Sequence, residues 1–155
     1  MSNETMRKFG YPETLIRDFG HWAVLVRPAQ VTLGSLVLAS TSEATRYGDL
    51  PPEAFARQAE AVKAIEQALA SFCGYERINY LMLMMVDPHV HFHVIPRYSG
   101  TREWAGMIFA DEGWPGPPQL QSATKLEPAQ IAALREALSP LFLEQDGGHG
   151  GRGKD

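Results

Sequence analysis

The chain has 155 residues, 45% hydrophobic and 21% charged, which suits one soluble globular domain with a single core. The formal net charge of -4 argues against a protein that binds a nucleic-acid backbone or an anionic membrane, because both classes carry a basic surface. Cys73 is the only cysteine, which excludes an intrachain disulfide and a multi-cysteine zinc site. With no signal-like or membrane-spanning apolar stretch, the sequence predicts a cytoplasmic protein.

The first half of the chain predicts three strands followed by a helix. Short apolar runs over residues 15–26, with Gly20 and His21 between them, predict a hairpin, and residues 33–40 predict a third strand. Apolar residues then recur every three or four positions up to Gly74, which predicts a long helix with Asp49 as its N-cap and Gly74 as its stop.

The second half predicts two more strands and a less regular end. Residues 78–86 read as a buried strand, its methionines filling the core, and Asp87-Pro88 as a tight turn into an antiparallel strand over 89–96. The resulting order is β-β-β-α-β-β, an α+β fold.

The region after Arg97 predicts an ordered arm that lacks regular elements, with its tryptophans packed on the core, and then a helix from Pro128 that ends at Pro140. We expect one domain over residues 1–145, with its core at about 10–100 and the arm and helix at 101–145. Residues 146–155 are expected to form a disordered tail.

Three histidines alternate with apolar residues in the stretch HVHFHVI, residues 89–95. Side chains alternate between the two faces of a strand, so His89, His91 and His93 should share one face. Such a set favours either a zinc site or nucleophilic catalysis by a neutral imidazole. Because alternate residues lie roughly 6.5 to 7 Å apart along a strand, three ligands to one ion from a single straight strand are awkward.

This stretch resembles the histidine-x-histidine-x-histidine motif of the histidine triad (HIT) family of nucleotide hydrolases and transferases. The order of elements over residues 10–100 is similar to that of the fragile histidine triad branch, which hydrolyses dinucleoside polyphosphates. The resemblance implies a HIT-like fold, a five-stranded antiparallel sheet and a homodimer.

The resemblance also implies roles for the three histidines. His91 matches the nucleophile that attacks the α-phosphorus of a nucleotide and forms a covalent nucleotidyl-histidine. His89 would orient it, through a backbone carbonyl that accepts the Nδ1 proton, and His93 would belong to the supporting hydrogen-bond network. The family needs no metal or other cofactor, and the implied substrates are dinucleoside polyphosphates or nucleoside phosphoramidates.

Two residues outside the motif are candidates for substrate binding. Ser35 stands where the family usually has a further histidine, and Arg97 could hold a phosphate through two parallel hydrogen bonds. The connection before the motif is also shorter than the family's. Two alternatives therefore remain open: a zinc-dependent hydrolase or metal-binding module that uses the same histidines, and a nucleotide-binding protein with weakened catalysis.

Overall fold

A computed structural model of the chain describes the backbone of residues 2–152 and the side chains of residues 2–142. The helices are α1 (Glu4–Lys8), α2 (Pro52–Cys73) and α3 (Pro128–Arg152). The strands are β1 (Leu15–Asp18), β2 (Trp22–Val26), β3 (Ala29–Gln30), β4 (Leu36–Ser40), β5 (Arg77–Leu81), β6 (His91–Arg97), β7 (Thr101–Trp104), β8 (Met107–Ala110) and β9 (Thr124–Lys125).

Five of these strands form an antiparallel sheet in the order β1-β2-β4-β6-β5. The predicted hairpin over residues 15–26 is confirmed as β1 and β2, and the third predicted strand is β4, which lies between β2 and β6. The predicted α+β fold with a five-stranded sheet is therefore confirmed. No helix of the described part of the chain is long and apolar enough to cross a membrane.

The two faces of the sheet are covered by different parts of the chain. Alternate residues such as Val24, Leu38 and Val94 face α2 and α3 in the larger core cluster. On the opposite face, Met6 of α1 is fully buried in a smaller cluster with Ala23, Leu25, Val37 and Ala39. The register pairs Ala39 with His91 and Val37 with His93, so these two histidines lie on the face that α1 covers.

Helix α2 ends as predicted but begins differently. Gly74 follows its last residue in the left-handed conformation, with φ 57°, which glycine adopts without a steric penalty. Asp49 is not the N-cap, because it belongs to a preceding 3-10 turn over residues 47–49, and Pro51 occupies the cap position without a side-chain hydrogen bond.

The connection between β5 and β6 differs most from the prediction. The two strands pair only as far as Leu81 opposite His93, so residues 82–90 form a nine-residue loop instead of a buried strand and a tight turn. Met85 and Val86 are 86% and 79% exposed, and Met82 is also exposed, so the methionine run does not fill the core. Only Met84 of that run packs against the core cluster.

The C-terminal part is more regular than predicted. β7 and β8 form a hairpin whose two turn residues, Ala105 and Gly106, both have positive φ, as a tight hairpin turn requires. β9 pairs with β3 in a separate two-stranded sheet. The partly buried Trp104 packs against the core cluster, as expected.

Helix α3 does not end at Pro140 as predicted. Leu134 and Leu138 before the proline and Phe142 after it are fully buried in the larger core cluster, so packing on both sides keeps the helical path although proline removes one backbone hydrogen bond. Residues 146–152 of the predicted tail continue this helix, and residues 153–155 lie outside the described residues.

Candidate active site

His91, the first residue of β6, has its two ring nitrogens in different surroundings. Its Nδ1 lies 2.7 Å from the backbone carbonyl oxygen of His89, and a carbonyl only accepts, so Nδ1 carries the proton of the neutral ring. Its Nε2 is buried and, among the described residues, is the one buried side-chain nitrogen or oxygen without a hydrogen-bond partner. The ring therefore presents an unshared electron pair on Nε2.

His93 lies two residues further along β6, and its ring stands edge-on to that of His91 with the centroids 5.1 Å apart. Its Nδ1 accepts a hydrogen bond of 3.1 Å from Nε of Arg27. Burial, then the charge of Arg27 and the neighbouring His91, lower the pKa of His93 from 6.5 to about 4. The ring is thus neutral at physiological pH.

His89 lies just before β6, so only two of the three histidines are on the strand itself. Its Nδ1 is 2.8 Å from the hydroxyl of Thr5, and its Nε2 is 3.0 Å from a carboxylate oxygen of Glu43. The side chain of His89 thus joins α1 to the loop after β4, while its backbone carbonyl holds the ring of His91.

The N-terminal segment, residues 2–12, covers both strand histidines. The Phe9 ring lies 5.6 Å from the rings of His91 and His93, measured between centroids. Asn3 fixes the start of the segment, because its side-chain amide donates to the carbonyl oxygens of Ser40 and Ser42 and its Oδ1 accepts from the first turn of α1. Phe9 therefore contributes to the burial of the two strand histidines.

An open groove of about 530 Å³ lies on the outer side of α1. Its walls combine α1 with the end of the loop before β6, and an ion pair of 2.8 Å joins Lys8 to Asp87 between them. The lining residues are Glu4, Thr5, Arg7, Lys8, Val86, Asp87 and Pro88. The groove meets the site at Thr5, beside His89, and its lining includes neither strand histidine.

Several solved structures have the same fold as this chain. A histidine triad protein from Sinorhizobium meliloti superposes with a TM-score of 0.66 at 20% sequence identity, covering 89% of this chain and 96% of that one. A histidine triad protein from Bradyrhizobium japonicum gives 0.64 at 19%, with 89% and 97% covered. A diadenosine triphosphate hydrolase from Plasmodium falciparum gives 0.60 at 12%, with 86% and 78% covered.

The chain has the HIT-like fold. No protein-family model and no curated protein matches the sequence, so the likeness to these structures concerns the fold. Within this HIT-like fold the predicted link from the His89 carbonyl to Nδ1 of His91 is present at 2.7 Å.

The two predicted substrate-binding residues outside the motif have other partners in this HIT-like fold. The Ser35 hydroxyl is fully buried and donates to the backbone carbonyl oxygen of Thr32 in the turn before β4. Arg97 forms a buried ion pair with Asp111 at 2.6 Å and also donates to Asn79 and to the Gly116 carbonyl. These contacts occupy polar atoms of both side chains in the turn and in the arm, and the substrate-binding role of Ser35 and Arg97 stays a prediction.

The metal alternative depends on how many nitrogen and oxygen donors the described residues leave unengaged. Among them, no group of three or more histidine, cysteine, aspartate or glutamate side chains is arranged to hold a metal ion. In His89, Nδ1 contacts the Thr5 hydroxyl and Nε2 contacts the Glu43 carboxylate. Nδ1 of His91 is hydrogen-bonded to the His89 carbonyl, and Nδ1 of His93 to Arg27. His91 and His93 therefore each have only Nε2 left to bind a metal ion.

Sequence reasoning missed several residues that contact the histidines, among them Thr5, Phe9, Arg27 and Glu43. Arg27 is in phase with Ala23 and Leu25, whose side chains lie on the histidine face, and this period of two could have identified it. Thr5 and Phe9 belong to a segment with a five-residue helix, which is too short to give a periodic signal.

Proposed function

We propose that the protein is a nucleotide hydrolase or transferase of the histidine triad family, which attacks the α-phosphate through His91. The observation that carries the proposal is the pair of environments of the His91 ring: Nδ1 donates to the His89 carbonyl at 2.7 Å, and Nε2 has no partner. A neutral imidazole held in this way offers its electron pair as a nucleophile.

The reaction would have two steps. Nε2 of His91 forms a bond to the α-phosphorus, and the bond from that phosphorus to the leaving oxygen or nitrogen breaks with its electron pair on the leaving group. Water then attacks the same phosphorus and loses a proton to solvent, the nitrogen–phosphorus bond breaks, and a nucleoside monophosphate leaves. A leaving nitrogen from the first step takes up a proton from solvent. The electron pair returns to Nε2, and Nδ1 keeps its hydrogen bond throughout.

Dinucleoside polyphosphates and nucleoside phosphoramidates are the proposed substrate classes. The motif and the shared fold support them, as does the presence of a diadenosine triphosphate hydrolase among the similar structures. The homodimer and the cytoplasmic location expected from the sequence remain predictions.

The proposal is tested by turnover of a panel of diadenosine polyphosphates and adenosine phosphoramidates in the presence of a chelator. We expect the wild type to release adenosine monophosphate and His91→Ala to lose turnover by at least about 10³-fold, because the nucleophile is removed. His21→Ala is the matched control, since His21 lies in the turn between β1 and β2, outside the site. Mass spectrometry of the rapidly quenched wild type should locate a nucleotidyl group on His91.

Three outcomes would contradict the proposal. Turnover that needs added zinc would favour the metal-dependent alternative, and nucleotide binding without turnover would favour a binding protein. Unchanged turnover in His91→Ala would exclude His91 as the nucleophile.

A further inference from the structure

Arg27 brings a guanidinium group onto the histidine face of the sheet. It follows β2 directly, its backbone N–H donates to the carbonyl oxygen of Ser35, and its half-buried side chain turns towards β6. Nε donates to Nδ1 of His93 at 3.1 Å, and Nη1 donates to the carbonyl oxygen of Ala29 at 2.5 Å. The second bond fixes the direction of the first, because both donors belong to one rigid planar group.

This contact decides where the proton of His93 lies. A guanidinium only donates hydrogen bonds, so Nδ1 of His93 must be the acceptor and Nε2 must carry the proton of the neutral ring. His91 has the opposite arrangement, with the proton on Nδ1 and the electron pair on Nε2. The two edge-on rings, 5.1 Å apart, thus combine a nucleophile with a hydrogen-bond donor.

The groups around His93 keep this ring neutral. Burial, then the charge of Arg27 and the neighbouring His91, lower the pKa of His93 and so disfavour a second proton. The Phe9 ring adds an apolar contact from the N-terminal segment. Asp87, in the loop before β6, acts in the opposite direction, although its carboxylate is paired with Lys8 at 2.8 Å.

We infer that Arg27 is a positioning residue, which fixes His93 as a neutral donor whose Nε2–H binds an oxygen of the reacting phosphate. The catalytic part of this inference rests on the proposed function, whereas the tautomer does not. Arg27 would act through His93, and it would raise the rate by preorganising a donor for the negative charge that develops on the phosphate oxygens.

The tautomer is measured directly on the ¹⁵N-labelled full chain without substrate. Long-range ¹H–¹⁵N spectra of the histidine rings, recorded from about pH 4 to about pH 8, are compared for the wild type, Arg27→Met and the matched control Arg57→Met on the far side of the sheet. In the wild type and the control we expect His93 to carry its proton on Nε2 and to stay neutral through most of this range. In Arg27→Met we expect a mixed tautomer and protonation at higher pH.

The kinetic experiment uses the adenosine substrates above. We expect Arg27→Met to lower kcat on the order of 10²-fold with a much smaller change in KM, and to move the acidic limb of the kcat profile to higher pH. A general loss of structure would instead lower activity without moving this limb.

Each result has a defined meaning. Wild-type spectra with the His93 proton on Nδ1 would overturn the inference without any variant, so it is testable even when Arg27→Met fails to fold. An unchanged His93 tautomer in a folded Arg27→Met would overturn it as well. The expected tautomer in the wild type, a changed tautomer in Arg27→Met and no turnover would together contradict the proposed function and the catalytic part of the inference, and would still support the effect of Arg27 on His93.

Discussion

The three histidines of the motif have three different sets of partners, although their spacing makes them look equivalent. Nε2 of His91 has no hydrogen-bond partner, and Nδ1 of His93 accepts a hydrogen bond from Arg27. The side chain of His89 is hydrogen-bonded to Thr5 of α1. The alternation along a strand predicted the shared face of His91 and His93. The distinct partners could not be predicted, because they come from the residue after β2, from α1 and from the loop after β4, which are distant in sequence.

His93 should make stability depend on pH. Its pKa is about 4 in the folded chain against an ordinary 6.5, so between these values the unfolded chain binds a proton that the folded chain does not. Folding stability contributed by the neutral ring is therefore present above about pH 6.5 and is lost as pH falls towards 4.

His93→Gln removes this titration and keeps a polar side chain of similar reach. Urea denaturation at neutral pH and near the lower pKa should show that the wild type loses up to about 3 kcal/mol more free energy of unfolding than the variant. The comparison cancels groups that titrate in both proteins. An equal loss in both proteins would mean that folding does not lower the pKa of His93.

Among the elements, α1 lies against the histidine face of the sheet, with Phe9 directly after it. It was not predicted, because a five-residue helix gives no periodic apolar pattern. The long helix α2 and the β1–β2 hairpin were predicted, since their periods and their glycine positions are local signals. Residues 82–86 were predicted to belong to a buried strand because they are apolar. The pairing of β5 with β6 ends at Leu81 and leaves these residues outside the sheet.

Shortening Phe9 should uncover His91. Phe9→Ala removes the ring that lies 5.6 Å from both strand histidines, and loss of its buried apolar area should weaken closure of the N-terminal segment. We expect His91 to be modified by diethyl pyrocarbonate about tenfold faster or more, as mass spectrometry of the modified peptide would show.

Phe55→Ala is the control for this change, because Phe55 is a partly exposed phenylalanine on α2, which packs on the other face. Equal modification rates in the wild type and Phe9→Ala would mean that the ring does not limit access to His91. A similar increase in Phe55→Ala would point to general loosening of the fold.

At the scale of the whole molecule, one buried ion pair attaches the arm to the sheet. The Arg97 and Asp111 side chains are 5% and 1% exposed, and Asp111 also accepts from the backbone N–H groups of Tyr98 and Gly113. Arg97 was predicted to bind phosphate because it follows the histidine motif directly and can form two parallel hydrogen bonds. Its partner Asp111 lies 14 residues away in the arm, where no local sequence signal reveals it.

Removing one partner should destabilise the whole fold. We expect Asp111→Ala to lower the free energy of unfolding by about 3–5 kcal/mol, because the guanidinium is left buried without its counter-ion. Glu60→Ala breaks the exposed pair with Arg57 and should cost less than about 1 kcal/mol. Urea denaturation of both variants distinguishes them, and equal losses would contradict the structural role of the buried pair.

The attachment of α1 to the histidine segment also has a consequence for the order of folding. Thr5 and His89 are 84 residues apart in sequence, and closing a loop of that length costs conformational entropy before any contact is gained. During synthesis α1 leaves the ribosome before the sheet, and its apolar partners in β2 and β4 follow it, but Thr5 can bond to His89 only after residue 89 has been made. We therefore expect the contact between Thr5 and His89 to form late, so that the site is completed only on a sheet that is already formed.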